Sequence, residues 1–154
     1  MFEKYSEHAK CVMDRARQEA QSLRDDHLGT EHILLGLIEV KEGYAADILR
    51  HRKIDLAHAK EQVATLVKHD TCPEDGCYER LPRTAHAQNV IDDALKEARE
   101  LHSGIIGSEH LLLGMLYENE GVGAQVLRNL GLELDDVRSE ILDLISRGKP
   151  EIED

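Results

Sequence analysis

The stretch "GTEHILLGL", Gly29–Leu37, returns as "GSEHLLLGM" at Gly107–Met115. The two copies stand 78 positions apart, the difference between 29 and 107. The same offset matches His8 and Ala9 with His86 and Ala87, and Val12, Asp14 and Ala16 with Val90, Asp92 and Ala94. It also matches Glu19, Ala20 and Leu23 with Glu97, Ala98 and Leu101, Glu42 and Gly43 with Glu120 and Gly121, and Leu49 and Arg50 with Leu127 and Arg128. Roughly a third of the paired residues from Ser6 to Val67 are identical and no gap is needed, which marks an internal duplication. Two copies of one unit imply a pseudo-twofold pair of half-domains, each burying apolar surface partly against the other.

Each copy reads as four helices. Ser6 is a suitable N-cap for an amphipathic run to about Leu23, with Ala9, Val12, Met13, Ala16 and Ala20 on one face. Thr84 does the same for a run through Val90, Ile91, Ala94, Leu95 and Ala98. After short turns ("RDDHLG" and "HSGIIG"), Thr30 and Ser108 are expected to cap the second helix of each copy. That helix is apolar almost all round, so it belongs inside the fold. Gly36 and Gly114 are costly in a helix interior, and close approach of another helix is the expected compensation. Weaker patterns predict helices at 44–51 and 55–68, then at 122–129 and 135–146. "NLGLELDD" supplies a glycine stop and an acidic start, where the first copy has "HRKIDLAH". The expected organisation is one domain over 1–146: repeat 1 at about 6–68, a turn-rich linker at 69–83, repeat 2 at about 84–146, and a frayed tail at 147–154.

The 154 residues suffice for one ordinary domain with a core of useful size. There is no Trp, one Phe and four Tyr in a background rich in helix formers, which argues for an all-α fold. The formal net charge of −12 repels phosphate backbones, so nucleic acid is not an expected partner, and basic or arginine-bearing partners suit the surface better. No apolar run is long enough to cross a bilayer, and "MFEKYSEHAK" lacks the apolar stretch of a secretory signal; a cytoplasmic location is the expectation.

Catalytic signatures are absent. There is no glycine-rich phosphate loop followed by Lys-Ser/Thr, no GxSxG elbow, and "EHILL" and "EHLLL" lack the second histidine of an HExxH zinc site. His32 and His110 are expected as core histidines with one hydrogen bond each, and His8 and His86 as surface groups. Cys11 is expected to pack as a small hydrophobe. His69, Cys72 and Cys77 offer three metal-type ligands without a fourth, so neither metal nor cofactor is expected.

Glu31 and Glu109 each follow a hydroxyl residue at the head of a buried helix. An acid there complements the helix dipole by about 0.3–1 kcal/mol. A carboxylate fixed at that place also suits a guanidinium in a forked pair, while the hydroxyl and free amides at a first-helix start, Ser6 or Thr84, suit an anion. A phosphorylated arginine carries both groups, and two such pockets raise apparent affinity for a multiply tagged or unfolded chain.

"MFEKYSEHAKCVM", "GTEHILLGLIEVKEGYAADIL" and "GSEHLLLGMLYENEGVGAQVLRNLG" resemble the Clp N-terminal domain, the double repeat that precedes the ATPase rings of ClpC- and ClpA-type unfoldases, with ClpC-type domains the nearer. The resemblance runs from Phe2 to about Ser146 and implies two four-helix repeats with pseudo-twofold symmetry. It implies a non-enzymatic docking role: adaptor proteins and arginine-phosphorylated or unfolded substrates are received for an ATP-driven unfoldase coupled to the ClpP protease. It also implies two symmetric phosphoarginine sites, carried over here as Glu31 with Ser6 and Thr30, and Glu109 with Thr84 and Ser108, and a ligand groove near Phe2. No Walker motif lies within the 154 residues, so this chain by itself is expected neither to hydrolyse ATP nor to unfold proteins. The alternative expectation is a stand-alone accessory subunit that binds the Clp protease or ATPase ring and modulates adaptor access. "LPR" before Thr84, where the family tends to Thr-Pro-Arg, sets the second pocket apart.

Overall fold

The computed structural model describes residues 5–67, 82–101 and 103–147. These residues form eight helices: α1 Glu7–Ser22, α2 Thr30–Glu39, α3 Tyr44–His51, α4 Leu56–Leu66, α5 Ala85–Glu100, α6 Ser108–Glu118, α7 Val122–Asn129 and α8 Leu134–Ser146. The fold is all-α, with α1–α4 repeated as α5–α8. Two isolated parallel bridges, Tyr5 with Ile106 and Leu28 with Arg83, join the two repeats.

The helices α2 and α6 are the hub. Every residue from Thr30 to Ile38 and from Ser108 to Leu116 is buried, as expected of helices apolar on all sides. Helix α1 packs on α2 and α5 on α6, while α7 crosses to α2 and α3 crosses to α6. The close approach expected at the glycines is present: a Cβ on Gly36 would stand 2.4 Å from the Val12 carbonyl oxygen, and one on Gly114 2.4 Å from that of Val90. Matching ion pairs tether the first and last helices of each repeat. Lys60 lies 3.7 Å from Glu19, and Arg138 donates to both oxygens of Glu97 at 2.6 Å.

The α3–α4 and α7–α8 corners share a shape built from different residues. Gly131 holds φ +93°, and Lys53 at the matching position holds φ +60°. Asp55 then caps α4 by accepting from the His58 amide at 2.7 Å, whereas Glu133 makes no such side-chain cap for α8. Cys11 corrects an expectation: it is exposed rather than packed. The buried stripe of α1 runs through Ala9, Val12, Met13, Ala16 and Ala20, and position 11 falls off it.

Candidate functional site

The heads of α2 and α6 begin one residue earlier than expected. Gly29 and Gly107 are the N-caps, so Thr30 and Ser108 are the first helical residues and do not cap their own helices. Each histidine of the repeated phrase takes over that work. Gly29 N donates to His32 Nδ1 at 2.9 Å, and Gly107 N donates to His110 Nδ1 at 2.8 Å. The two hydroxyls cap the other repeat. Thr30 Oγ1 accepts from Gly123 N at 3.0 Å, and Ser108 Oγ accepts from Ala45 N at 3.4 Å. Helices α7 and α3 start at the glycine caps Gly121 and Gly43, which have no side chain to spend on their own free amides. Thr30→Val is therefore expected to cost about 1 kcal/mol in urea unfolding, with Ser108→Ala costing less because its bond is longer. Unchanged midpoints for both variants would rule out these cross-repeat caps.

The starts of the first helices are also exchanged. Ser6 Oγ accepts from Ala9 N and Thr84 Oγ1 from Ala87 N, each at 3.1 Å, so both hydroxyls cap their helices as expected. Their neighbours are not those expected. Ser6 N donates to Ile106 O at 2.9 Å, which ties repeat 1 to the chain leading into Glu109. Leu28 N donates to Pro82 O at 2.8 Å, and Thr84 N donates to Leu28 O at 3.0 Å, which ties repeat 2 to the chain leading into Glu31. The grouping of Ser6 with Glu31 and of Thr84 with Glu109 is thus corrected: the backbone brings Ser6 to the Glu109 side and Thr84 to the Glu31 side. A pseudo-twofold axis exchanges equivalent residues, so equivalent positions need not be neighbours.

Both acids are 5 % exposed. The Glu31 carboxylate folds back over the start of its own helix: Oε1 lies 2.1 Å from where a Cβ on Gly29 would stand, so the carboxylate occupies the space that the glycine leaves. That placement complements the positive helix end. His27 Nε2 lies 3.8 Å from Glu31 Oε2, while His27 Nδ1 meets Asp26 at 2.9 Å. Burial disfavours the His27 cation, but the Asp26 hydrogen bond and the carboxylates of Glu31, Asp25 and Asp26 outweigh it and raise the imidazole above its ordinary value of 6.5. Repeat 2 has Ile105 at the position of His27, so the two acids sit in different electrostatic surroundings.

His32 makes two hydrogen bonds rather than one. Its Nε2 lies 2.6 Å from Asp25 Oδ2, with both side chains fully buried. Neither Asp25 nor His27 was singled out in the sequence, because "RDDHLG" reads as a polar turn. Its contrast with "HSGIIG" at the same place in repeat 2 is the one available signal. Lys10, Arg17 and Arg83 line a cavity of about 250 Å³ together with Tyr5, Met13 and Asp14. Phe2, His69, Cys72 and Cys77 lie outside the described residues.

The sequence profile of the Clp repeat (R) N-terminal domain matches residues 4–78 and 83–153. The chain is 41 % identical over 142 residues to a probable ATP-dependent Clp protease ATP-binding subunit of Chlamydia pneumoniae, covering 92 % of this chain and 17 % of that protein. It is 38 % identical over 152 residues to the ATP-dependent Clp protease ATP-binding subunit ClpC of Staphylococcus saprophyticus, covering 99 % of this chain and 18 % of that protein. The chain thus spans under a fifth of the length of these two curated relatives. Among solved structures, the N-terminal domain of the chaperone ClpD from Arabidopsis thaliana superposes with a TM-score of 0.70 at 22 % identity, covering 93 % of this chain and 95 % of that one. With both repeats matched and the same helical architecture in place, the chain belongs to the Clp repeat (R) N-terminal domain family.

Proposed function

We propose that this domain is a non-catalytic docking module for ATP-dependent Clp proteolysis in the cytoplasm, receiving adaptor proteins and substrates marked with phosphoarginine at two related sites. The observation that carries this reading is the doubled, crossed arrangement. Each acid-headed buried helix begins on chain that adjoins the hydroxyl-capped start of the other repeat's first helix. A carboxylate for a guanidinium and a helix start for a phosphoryl group therefore come from opposite repeats at each site. Two sites on one domain favour chains that carry several marks. Each acid is 5 % exposed, so an arriving guanidinium must displace what covers it, and at Glu31 that cover includes His27.

The two sites are then expected to differ with pH. A protonated His27 is a resident cation beside Glu31 and competes with the incoming guanidinium. Because folding raises its pKa, its stabilising contribution is full below 6.5 and is lost as pH rises through the higher folded value. Titration calorimetry with phosphoarginine is expected to show a stoichiometry near two at pH 8 and, at pH 6, selective weakening of one site. His27→Ile is expected to make both sites respond alike, which separates the imidazole from the ligand's own ionisation. Glu31→Ala with Glu109→Ala should abolish binding while far-UV helicity is retained. Absence of heat with the unaltered domain, or full binding by the double variant, overturns the phosphoarginine assignment.

A further inference from the structure

We propose that His86, Glu118 and Glu120 form a binding site for one zinc-class divalent cation per chain. The three side chains come from the start of α5, the end of α6 and the α6–α7 turn, and one ligand atom from each lies within 4.8 Å of the others. Their chemistry is mixed: one imidazole nitrogen and two carboxylates, a donor set that suits zinc and its first-row neighbours better than calcium or magnesium.

Glu118 is held in place before any ion arrives. Its side chain is 5 % exposed, and Oε1 accepts from Gly121 N at 2.8 Å and from Glu120 N at 3.2 Å. These bonds aim the other oxygen, Oε2, at His86 Nδ1, 2.5 Å away. The backbone amides thus act as the outer support that fixes a ligating carboxylate. Glu120 is exposed and can turn toward the pair, while His86 gives up its hydrogen bond to Glu118 so that the two donors part to about 3.3 Å, the spacing of neighbouring ligands on a tetrahedral zinc. Two carboxylates against one imidazole leave net negative charge for a dication to neutralise.

The duplication contains its own control. His8 and Glu42 stand in repeat 1 where His86 and Glu120 stand in repeat 2, but Val40 replaces Glu118. Repeat 1 therefore lacks the anchored ligand, and His8 Nε2 lies 3.7 Å from an exposed Glu42. One site per chain is the consequence.

The experiment is a zinc titration of the whole chain by calorimetry, with Cys11, Cys72 and Cys77 replaced by Ser in every protein compared so that thiolates do not contribute. One ion is expected to bind per chain. His86→Ala is expected to weaken that binding roughly tenfold or more, and Glu120→Gln to weaken it in the same direction. Both positions are exposed, so helicity should be unchanged in circular dichroism. His8→Ala is expected to leave the affinity as it was. A chain that takes up no zinc, or whose zinc binding survives His86→Ala or falls equally with His8→Ala, overturns the site.

Discussion

Gly36→Ala and Gly114→Ala are each expected to destabilise the domain by about 2 kcal/mol and to lower its melting temperature by about 6 °C. The substitution has two opposed effects. Alanine is the better helix former, by about 0.5–1 kcal/mol. Against this, the new methyl group at Gly36 meets the Val12 carbonyl oxygen at 2.4 Å and the Ala16 amide nitrogen at 3.2 Å. At Gly114 it meets Val90 O at 2.4 Å and Ala94 N at 2.9 Å. Real Cβ atoms essentially never come within 3.0 Å of a neighbour, and here the neighbour is backbone, so no side-chain rotation relieves the contact. The helix pair itself must separate, which loosens the small-residue seam of Ala9, Val12, Ala16 and Ala20 in one repeat and Ala87, Val90, Ala94 and Ala98 in the other. Overpacking of this kind costs about 1–3 kcal/mol and more where backbone must move, so the clash outweighs the propensity gain. The double variant is expected to lose about the sum, a large share of the margin of an ordinary domain. A thermal melt of either single variant at or above that of the unaltered chain would show that α1–α2 and α5–α6 do not meet this closely.

These glycines were legible in the sequence because their cost is local and their compensation is general: a glycine inside an apolar helix marks close approach. The helices were legible for a similar reason. Apolar spacing, the hydroxyl caps at Ser6 and Thr84, and the glycine stop at Gly131 all act within a few residues of where they are read. What the offset of 78 could not reveal is adjacency. It pairs Ser6 with Thr84 and Glu31 with Glu109 as equivalents, and says nothing of which equivalent neighbours which. The bridges Tyr5–Ile106 and Leu28–Arg83 decide that, and they cross between repeats. The same crossing moved Thr30 and Ser108 from capping their own helices to capping α7 and α3. The burial of Glu31 and Glu109 is a tertiary outcome as well, since an acid in a first turn is as often solvated as covered. Cys11 illustrates the limit from the other side: being one residue off the stripe outweighs the general tendency of cysteine to be buried.

Asp25→Ala is expected to cost about 3 kcal/mol, more than either glycine substitution alone. Asp25 follows α1, its amide donating to Ala20 O at 2.9 Å, and its carboxylate reaches His32 in the first turn of α2. Because His32 Nδ1 accepts from Gly29 N, the ring donates through Nε2, and Asp25 Oδ2 receives that proton at 2.6 Å. One imidazole therefore joins the α1–α2 turn to the start of the buried helix that carries Glu31. Both side chains are fully buried, so removal of the carboxylate leaves a donor that water does not easily reach. Asp25→Asn keeps an acceptor while giving up the charge, and about 1 kcal/mol is the expected loss. Repeat 2 offers the comparison. Ser103 stands at the matching position, and its hydroxyl serves only the local turn, donating to Ile105 O at 2.8 Å and accepting from Ile105 N at 3.2 Å. Ser103→Ala is accordingly expected to cost no more than about 1 kcal/mol. Urea unfolding of the three variants checks the order, Asp25→Ala well below Asp25→Asn and Ser103→Ala. If Asp25→Ala proves no more damaging than Ser103→Ala, the buried Asp25–His32 bond does not hold the head of α2.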